Sequence, residues 1–303
     1  MKKLLLVGGS GFVGSHVRAA LESTCSVVAT GREVDVRNTD QLRTLIASVQ
    51  PDQVVHLAAV TTLRESFENP RATYDINFLG TLNLLMALRE CEFAGRMLFV
   101  SSSEIYGLLE VHELPVGESR IPKPLSPYAV AKVAAEALCY SWSQTEKFEI
   151  VTARPFNHIG PGQSERFAIA DFGRQIAAIK LGLSDPVIQV GDIDTTRDFT
   201  DVRDIVFAYQ LLLERGRNGE TYNVCSGVER SIRSLVERMC ALADVRVELR
   251  ADPARLRPSE QRRVCGSNEK LVLDTAWGPQ CSVDQTLSDI VANWVRALGA
   301  QNK

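Results

Sequence analysis

Short apolar runs alternate with segments of helical periodicity along the first half of the chain. Runs at 3–7, 26–30, 34–36, 53–57, 96–101 and 148–154 predict strands. Apolar positions recur at helical spacing in the intervening segments, at about 12–22, 40–48, 74–90 and 127–144. Because strand and helix periods alternate, the pattern predicts parallel βαβ units and a doubly wound α/β sheet.

The alternation loosens beyond residue 156. Helices are predicted near 167–181, 231–242 and 283–298, and strands near Val187 and at 246–249. We interpret residues 1–158, joined by about 195–225, as a Rossmann-type domain. Residues 159–194 and 226–303 then form a smaller, discontinuous C-terminal lid over the carboxyl edge of the sheet, where open α/β sheets bind ligands.

Composition and charge exclude several classes of function. A net charge of -3 gives no electrostatic reason to bind nucleic acid or an anionic membrane. The seven cysteines are scattered, without the spacing of metal ligands, so we expect reduced thiols and no metal site. The apolar start is too short for a signal peptide and runs into Gly8-Gly9, and no other stretch approaches membrane-spanning length. We therefore expect a cytoplasmic protein.

A glycine-rich turn joins the first predicted strand to the first predicted helix. Its pattern is Gly8-x-x-Gly11-x-x-Gly14, and it includes Phe12 and Val13 at the start of the helix. Glycines let the backbone approach a pyrophosphate, whose charge the helix N-terminus stabilises. An ordinary glycine turn is the alternative, but the flanking strand and helix favour dinucleotide binding.

The end of the second strand bears on the choice of cofactor. It reads Thr30-Gly31-Arg32 where an acidic residue would bind a ribose diol. A cation at this position accepts a 2′-phosphate, so NADP(H) is favoured and NAD(H) is kept as the alternative. A solvated arginine would explain the same residues.

A tyrosine and a lysine stand one helical turn apart at the start of a predicted helix. In Tyr128-x-x-x-Lys132 both side chains lie on one face, and a nearby ammonium is expected to lower the pKa of the phenol. A serine-rich strand end, which begins at Ser101, precedes this helix. A hydroxyl at that edge can bond the same carbonyl oxygen that the tyrosine protonates, which predicts a Ser/Tyr/Lys catalytic set.

These motifs, in this order, resemble the extended short-chain dehydrogenase/reductase family from end to end. The resemblance implies that Ser102 orients the substrate carbonyl, because the family's hydroxyl stands four residues before the tyrosine of a Tyr-Gly pair, here Tyr106-Gly107. It also implies that Tyr128 is the acid/base and that Lys132 bonds the nicotinamide ribose. The further cofactor contacts that it implies are Asp35, Val36, Leu57, Ala58, Ala59, Asn77, Pro155 and His158.

Four later segments are similar to GDP-sugar enzymes, the GDP-mannose 4,6-dehydratases and, more closely, the GDP-6-deoxy-D-mannose reductases. They are 154–163, 197–204, 223–227 and 255–260. By that resemblance Asn157 meets the sugar or its phosphate, and Ser103 and Glu104 contact the substrate. Arg197 and Arg257 meet the diphosphate, and Glu260 accepts a guanine or ribose hydrogen bond. Guanidinium groups suit phosphate geometry, although a surface salt-bridge network is the alternative for Arg197.

Glu104 leaves two reactions in competition. It stands two residues after Ser102, where the resemblance places the extra base of a 4,6-dehydratase. Three features favour the reductase. A serine stands where dehydratases usually have a threonine, the chain is shorter than those enzymes, and the sequences of the later segments fit the reductases. The predicted reaction is therefore NAD(P)H-dependent reduction of GDP-4-dehydro-6-deoxy-D-mannose to GDP-D-rhamnose. A dehydratase, or an epimerase or other reductase of the same superfamily, is the alternative.

The resemblance also predicts a homodimer, through a four-helix interface formed by 79–88 and 128–140. The configuration of the product at carbon 4, rhamno or talo, depends on how the sugar lies in the pocket, and the sequence leaves it open.

Overall fold

The computed structural model describes residues 1–255 and 261–301. The strands are β1 Lys3–Val7, β2 Ser26–Ala29, β3 Gln53–His56, β4 Arg96–Val100, β5 Glu149–Pro155, β6 Asn157–Ile159, β7 Val187–Val190, β8 Thr196–Asp201, β9 Thr221–Val224, β10 Glu229–Ser231 and β11 Glu248–Ala251. The helices are α1 Phe12–Leu21, α2 Thr39–Val49, α3 Leu63–Glu68, α4 Pro70–Tyr74, α5 Gly80–Glu90, α6 Pro127–Thr145, α7 Ala168–Lys180, α8 Val202–Arg215, α9 Ile232–Ala243, α10 Glu269–Thr275 and α11 Val283–Gln301.

Six parallel strands form the central sheet, in the order β2-β1-β3-β4-β5-β9. Apolar side chains from α1 and α8 pack on one face, and those from α2, α5 and α6 pack on the other. Because both faces are covered, the inner strands β1, β3, β4 and β5 are mostly buried, whereas the edge strand β2 is only half-buried. The doubly wound α/β sheet predicted from the sequence is confirmed. The strand order reverses direction at β1, which opens a crevice at the carboxyl edge between β1 and β3.

A separate apolar core lies under the second half of the chain. It is formed mainly by α7, α9 and α11 with the two-stranded sheet β11-β7. A three-stranded sheet, β10-β8-β6, runs from the end of β5 toward this part. Strands near β7 and β11 were predicted, near Val187 and at 246–249, whereas β6, β8 and β10 were not.

Two local predictions were wrong. Residues 34–36 form turns and not a strand, because the Asp35 carboxylate accepts hydrogen bonds from the backbone N–H and guanidinium of Arg37 and so folds the chain back on itself. The helix expected over 74–90 is interrupted by a π-helical turn, Asp75–Leu79. In that turn the Asn77 side chain bonds both the N–H and the C=O of Val60, at 2.8 and 3.0 Å.

The described part of the chain contains neither a disulfide nor a helix that could cross a membrane. All seven cysteine side chains are free thiols. Across residues 1–255 and 261–301, each helix is too short or too polar to cross a bilayer.

Candidate active site

The glycine turn after β1 is packed so closely that side chains are excluded at two of its positions. Gly8 has a φ of +82°, and a Cβ there would lie 2.4 Å from the backbone nitrogen of Ala58. A Cβ at Gly14 would lie 2.4 Å from the carbonyl oxygen of Gly9. The turn therefore brings the start of α1 against the loop after β3, as a dinucleotide site requires.

The N-terminus of α1 is open to an anion. Its N-cap is Gly11, no side chain in the described part of the protein caps it, and its first turn holds no acidic residue. A Cβ at Gly11 would meet nothing closer than 3.7 Å. Unpaired N–H groups at a helix N-terminus stabilise phosphate charge, so this turn fits a pyrophosphate. Phe12 and Val13 begin the helix, and Val13 packs against the apolar core.

The residues after β2 include an exposed cation. Arg32 is exposed, and the residues that the structure describes form neither a hydrogen bond nor an ion pair with it. Asp35, unlike Arg32, is ion-paired: the Arg37 guanidinium binds its carboxylate and lowers its pKa. Val36 is buried and packs against Gly80.

The loop after β3 forms the opposite wall of the crevice. Leu57 and Ala58 donate backbone hydrogen bonds to the Val7 carbonyl, at 2.8 and 3.0 Å, and with Ala59 they are half-buried. Because the amide of Asn77 is engaged by Val60, its role in the described structure is to fix this loop.

Ser102 and Tyr128 meet at the end of β4. Ser102 begins a 3-10 turn, Ser103–Tyr106, by accepting the Glu104 backbone N–H at 3.1 Å. Tyr128 enters α6 just after its N-cap, Ser126, which accepts the Ala129 N–H at 3.1 Å. Ser102 lies beside the Tyr128 phenol, where it acts to lower the pKa of that hydroxyl. The structure thus brings together the two hydroxyls that the sequence predicted.

Lys132 completes the set from one turn further along α6. Its side chain is buried, and Nζ donates a hydrogen bond of 2.7 Å to the Val100 carbonyl. Nζ also lies 5.0 Å from the Phe99 ring centre and 5.9 Å from that of Tyr128. Burial lowers the pKa of Lys132 to about 8.

The expectation that Lys132 makes Tyr128 more acidic was wrong for this structure. Burial raises the pKa of Tyr128 to about 12, and the nearby Ser102 side chain offsets only part of that effect. In this structure the Lys132 ammonium donates its hydrogen bond to the Val100 carbonyl. A phenol in this environment keeps its proton at neutral pH.

Glu104 and Arg197 are coupled by charge beside the catalytic set. Glu104 is exposed, but its carboxyl group stands among enough protein atoms to raise its pKa, and Arg197 opposes that shift. The Arg197 guanidinium donates to the carbonyls of Thr196 and Gln261, at 2.7 and 3.1 Å. Burial lowers its pKa, against the effect of Glu104.

The remaining predicted residues lie after β5 or outside the described part. Asn157 is exposed, Ser103 is half-buried and Pro155 is buried. His158 stacks on Phe12 with ring centres 6.2 Å apart, and burial lowers its pKa. The predicted substrate residues Arg257 and Glu260 lie outside the described residues.

Asp198 is a buried anchor that the sequence analysis quoted only as part of a motif. It is fully buried, and its carboxylate accepts the N–H groups of Ser226 and Gly227 at 2.8 and 2.9 Å. It thereby ties the strand that carries Arg197 to the turn after β9. Its position next to Arg197 was the only signal in the sequence, because its partners lie nearly thirty residues away.

A family model described as GDP-mannose 4,6 dehydratase matches residues 29–290. A GDP-6-deoxy-D-mannose reductase from Pseudomonas aeruginosa is 45% identical over 296 residues, which is 97% of each chain. The chain belongs to the GDP-mannose 4,6-dehydratase family. It is an extended short-chain dehydrogenase/reductase, as its motifs predicted.

Other members of the family show where this chain stands within it. A GDP-mannose 4,6-dehydratase from Yersinia enterocolitica is 29% identical over 289 residues, covering 85% of this chain and 77% of that protein. The structure of RMD from Pseudomonas aeruginosa complexed with NADPH is 44% identical, with a TM-score of 0.93, and the match covers 98% of this chain and 100% of that one. The sequence is thus more similar to the reductase than to this dehydratase.

Proposed function

We propose that this chain is an NADPH-dependent GDP-6-deoxy-D-mannose reductase. It reduces the 4-keto group of GDP-4-dehydro-6-deoxy-D-mannose and yields GDP-D-rhamnose. The observation that carries this conclusion is the 45% identity, over 97% of each chain, to a Pseudomonas aeruginosa protein of that name. The fold match to RMD with NADPH and the buried Ser102/Tyr128/Lys132 set support it.

Turnover and product analysis test this function. The enzyme is mixed with NADPH and GDP-4-dehydro-6-deoxy-D-mannose, NADPH oxidation is followed, and the sugar is identified by NMR. We expect GDP-D-rhamnose in an amount equal to the NADPH consumed. Absence of NADPH consumption would contradict the function, and a talo product would contradict the assigned configuration.

The chain's own residues supply the proton and orient the sugar. When bound, NADPH supplies the hydride that reduces carbon 4. Tyr128 gives its proton to the sugar oxygen, and a pKa of about 12 keeps the phenol in the protonated state that a reductase needs. Ser102, which lies beside Tyr128, steadies the same oxygen. Lys132 is positively charged below about pH 8, and we assign it to the cofactor ribose.

The proposed substrate contacts surround this set. We assign Asn157 to the sugar or its phosphate, Ser103 and Glu104 to the sugar, and Arg197 to the diphosphate. The half-buried guanidinium of Arg197, close enough to Glu104 for their charges to interact, supports that assignment. Arg257 and Glu260 would add a diphosphate and a guanine or ribose contact, respectively.

The dehydratase alternative depends on Glu104 acting as a base at carbon 5. A reductase has no proton to remove there, so Glu104→Gln should keep kcat within about tenfold of the wild type. Steady-state NADPH oxidation with the 4-keto sugar measures this, with Ser102→Ala as the variant that should lose more.

Two results would favour the dehydratase instead. One is a loss of ~10² to 10⁴-fold in Glu104→Gln, the size expected for removal of an acid/base group. The other is formation of a 4-keto-6-deoxy sugar when the wild-type enzyme receives GDP-mannose and NADP⁺.

The exposed, unpaired Arg32 supports a preference for NADPH. Arg32→Ser should raise KM for NADPH by roughly 10 to 100-fold, the cost of losing charge-assisted bonds to a phosphate, and leave KM for NADH unchanged. Both constants are measured with saturating sugar. Arg64→Ser is the matched control, because Arg64 is an exposed arginine paired with Glu68 on α3. Equal changes for both cofactors would contradict the assignment.

A homodimer through α5 and α6 is part of the proposal. Large apolar side chains are exposed on α6 and on the segment that leads into α5, namely Phe67, Tyr74, Leu79, Val130 and Tyr140. Pairing of this surface with its copy would bury them. Sedimentation velocity that found only a monomer would contradict the dimer.

We also propose which parts of the chain bind the cofactor and which bind the sugar nucleotide. Residues 1–158 with about 195–225 bind the cofactor, and residues 159–194 with 226–303 bind the sugar nucleotide. The separate apolar core under α7, α9 and α11 supports this division. We also propose a cytoplasmic location, with which the seven free thiols agree.

A further inference from the structure

A buried ion pair stands next to the catalytic lysine. Arg154, near the end of β5, donates two hydrogen bonds to the Glu136 carboxylate of α6, at 3.0 and 2.7 Å. Their side chains are only 8% and 10% exposed. Burial alone would lower the pKa of Arg154, but the bonds and charge of Glu136 raise it overall. Because burying two charges carries a large desolvation cost, such a pair is weak evidence for stability alone.

The third branch of the Arg154 guanidinium reaches the turn that carries Ser102 and Glu104. Its Nη1 donates to the Tyr106 hydroxyl at 3.0 Å and to the Glu118 carbonyl at 3.2 Å. Tyr106 is the last residue of the 3-10 turn, and its hydroxyl donates in turn to Asn223 at 2.7 Å. One buried side chain thus connects α6, β5, the 3-10 turn and β9.

Glu136 also acts on Lys132 directly. The two residues stand at i and i+4 on α6, on one face of the helix. The charge of Glu136 raises the pKa of Lys132, against the effect of burial. The other titratable groups around Lys132 are Tyr128 and Cys139 on the same helix and His56 from β3.

The charges of those other groups are fixed near neutral pH. Burial keeps His56 and Cys139 neutral, and Tyr128 keeps its proton. Among these groups, Glu136, whose charge is offset by that of Arg154, is therefore the charged side chain that shifts the pKa of Lys132.

We propose that Glu136 and Arg154 are positioning residues, which hold Lys132 in its charged, carbonyl-bonded state and lock the 3-10 turn of Ser102 against α6. The inference rests on the proposed reductase function only in assigning Lys132 to the cofactor ribose and the catalytic set. The pair itself touches neither substrate nor cofactor in this scheme.

Removing Glu136 alone and removing Arg154 alone should shift the pKa of Lys132 in opposite directions. In Glu136→Gln the Arg154 charge remains without its counterion, which disfavours the ammonium and moves its titration to lower pH. In Arg154→Met the Glu136 carboxylate remains alone, which favours the ammonium and moves its titration to higher pH. A purely structural role would weaken both variants without opposite shifts.

The test is the pH dependence of NADPH affinity, measured by fluorescence without sugar, together with the pH profile of kcat. We expect the midpoint at which NADPH affinity falls to move down in Glu136→Gln and up in Arg154→Met, each by roughly half a pH unit or more. The kcat profiles should move in the same directions. Midpoints that stay unchanged, or that move the same way, would overturn the proposal.

Two further variants keep the result interpretable. Glu149→Gln is the matched control, because Glu149 pairs with Arg96 at the opposite end of β5 and should leave both profiles unchanged. The double variant Glu136→Gln/Arg154→Met removes both charges and should return the midpoint toward the wild type even if a single variant folds poorly. A double variant whose midpoint lies outside the range of the two single variants would also overturn the proposal.

Measuring NADPH affinity without sugar distinguishes a failure of this inference from a failure of the proposed function. If the wild type binds NADPH but does not reduce the 4-keto sugar, the proposed function fails while the midpoints still decide the role of the pair. If the sugar is reduced but the midpoints do not shift oppositely, only the role of the pair fails.

Discussion

Tyr128→Phe is expected to lower kcat by about 10² to 10⁴-fold, the usual contribution of a positioned acid/base group. The phenol is buried, lies beside Ser102 and is held protonated by a pKa of about 12, so it is the group prepared to give the proton that the reduced carbonyl needs. Because only the hydroxyl is removed, NADPH affinity should stay near that of the wild type. Stopped-flow reduction with fluorescence titration of NADPH measures both quantities.

The matched control is Tyr140→Phe. Tyr140 lies on the same helix, twelve residues beyond Tyr128, and the variant keeps its ring, which is the apolar part that the proposed dimer would bury. It should retain wild-type kcat. Near-normal turnover in Tyr128→Phe would contradict the proposed proton donor.

Lys132→Met is expected to lower kcat by ~10² to 10³-fold, the size found when one preorganised electrostatic donor is removed. It should also weaken NADPH binding, since Lys132 is assigned to the ribose. The control is Lys180→Met, because Lys180 likewise donates to a backbone carbonyl, that of Ala243 at 2.8 Å, but lies on α7 in the other core. Retention of both kcat and NADPH affinity in Lys132→Met would contradict this role.

The same lysine sets the expected pH dependence of the wild-type enzyme. Burial lowers the pKa of Lys132 to about 8, so its charge is present below that pH and is lost above it. Tyr128 keeps its proton throughout this range. Activity should therefore fall as pH rises through about 8, and the fall should be absent from whatever turnover Lys132→Met retains.

The sheet was predictable because its signal is local. Each buried strand is a short apolar run, and each helix between them repeats its apolar positions at helical spacing, so the alternation alone gives the doubly wound topology. The small sheet β10-β8-β6 has strands of three to six residues, too short to show a period, and was missed. Residues 34–36 were misread as a strand because the apolar valines outweighed an Asp35 carboxylate that turns the chain.

Some features of the candidate site could likewise be predicted from the sequence, and others could not. Tyr128 and Lys132 could be predicted because Tyr128-x-x-x-Lys132 is a local pattern that follows a serine-rich strand end. The choice of Ser102 among those serines came from the family resemblance. The effect of Lys132 on Tyr128 could not, because it depends on where the ammonium donates its bond. Arg154 and Glu136 lie 18 residues apart, and nothing in either segment indicates that the fold buries them as a pair.

Deuterium transfer tests the central claim most directly. The enzyme is supplied with NADPH deuterated at the transferable position of the nicotinamide and with GDP-4-dehydro-6-deoxy-D-mannose, and the product is examined by NMR and mass spectrometry. We predict one deuterium at carbon 4 of GDP-D-rhamnose and none at carbon 5 or 6. A product without deuterium at carbon 4 would contradict the proposed reduction.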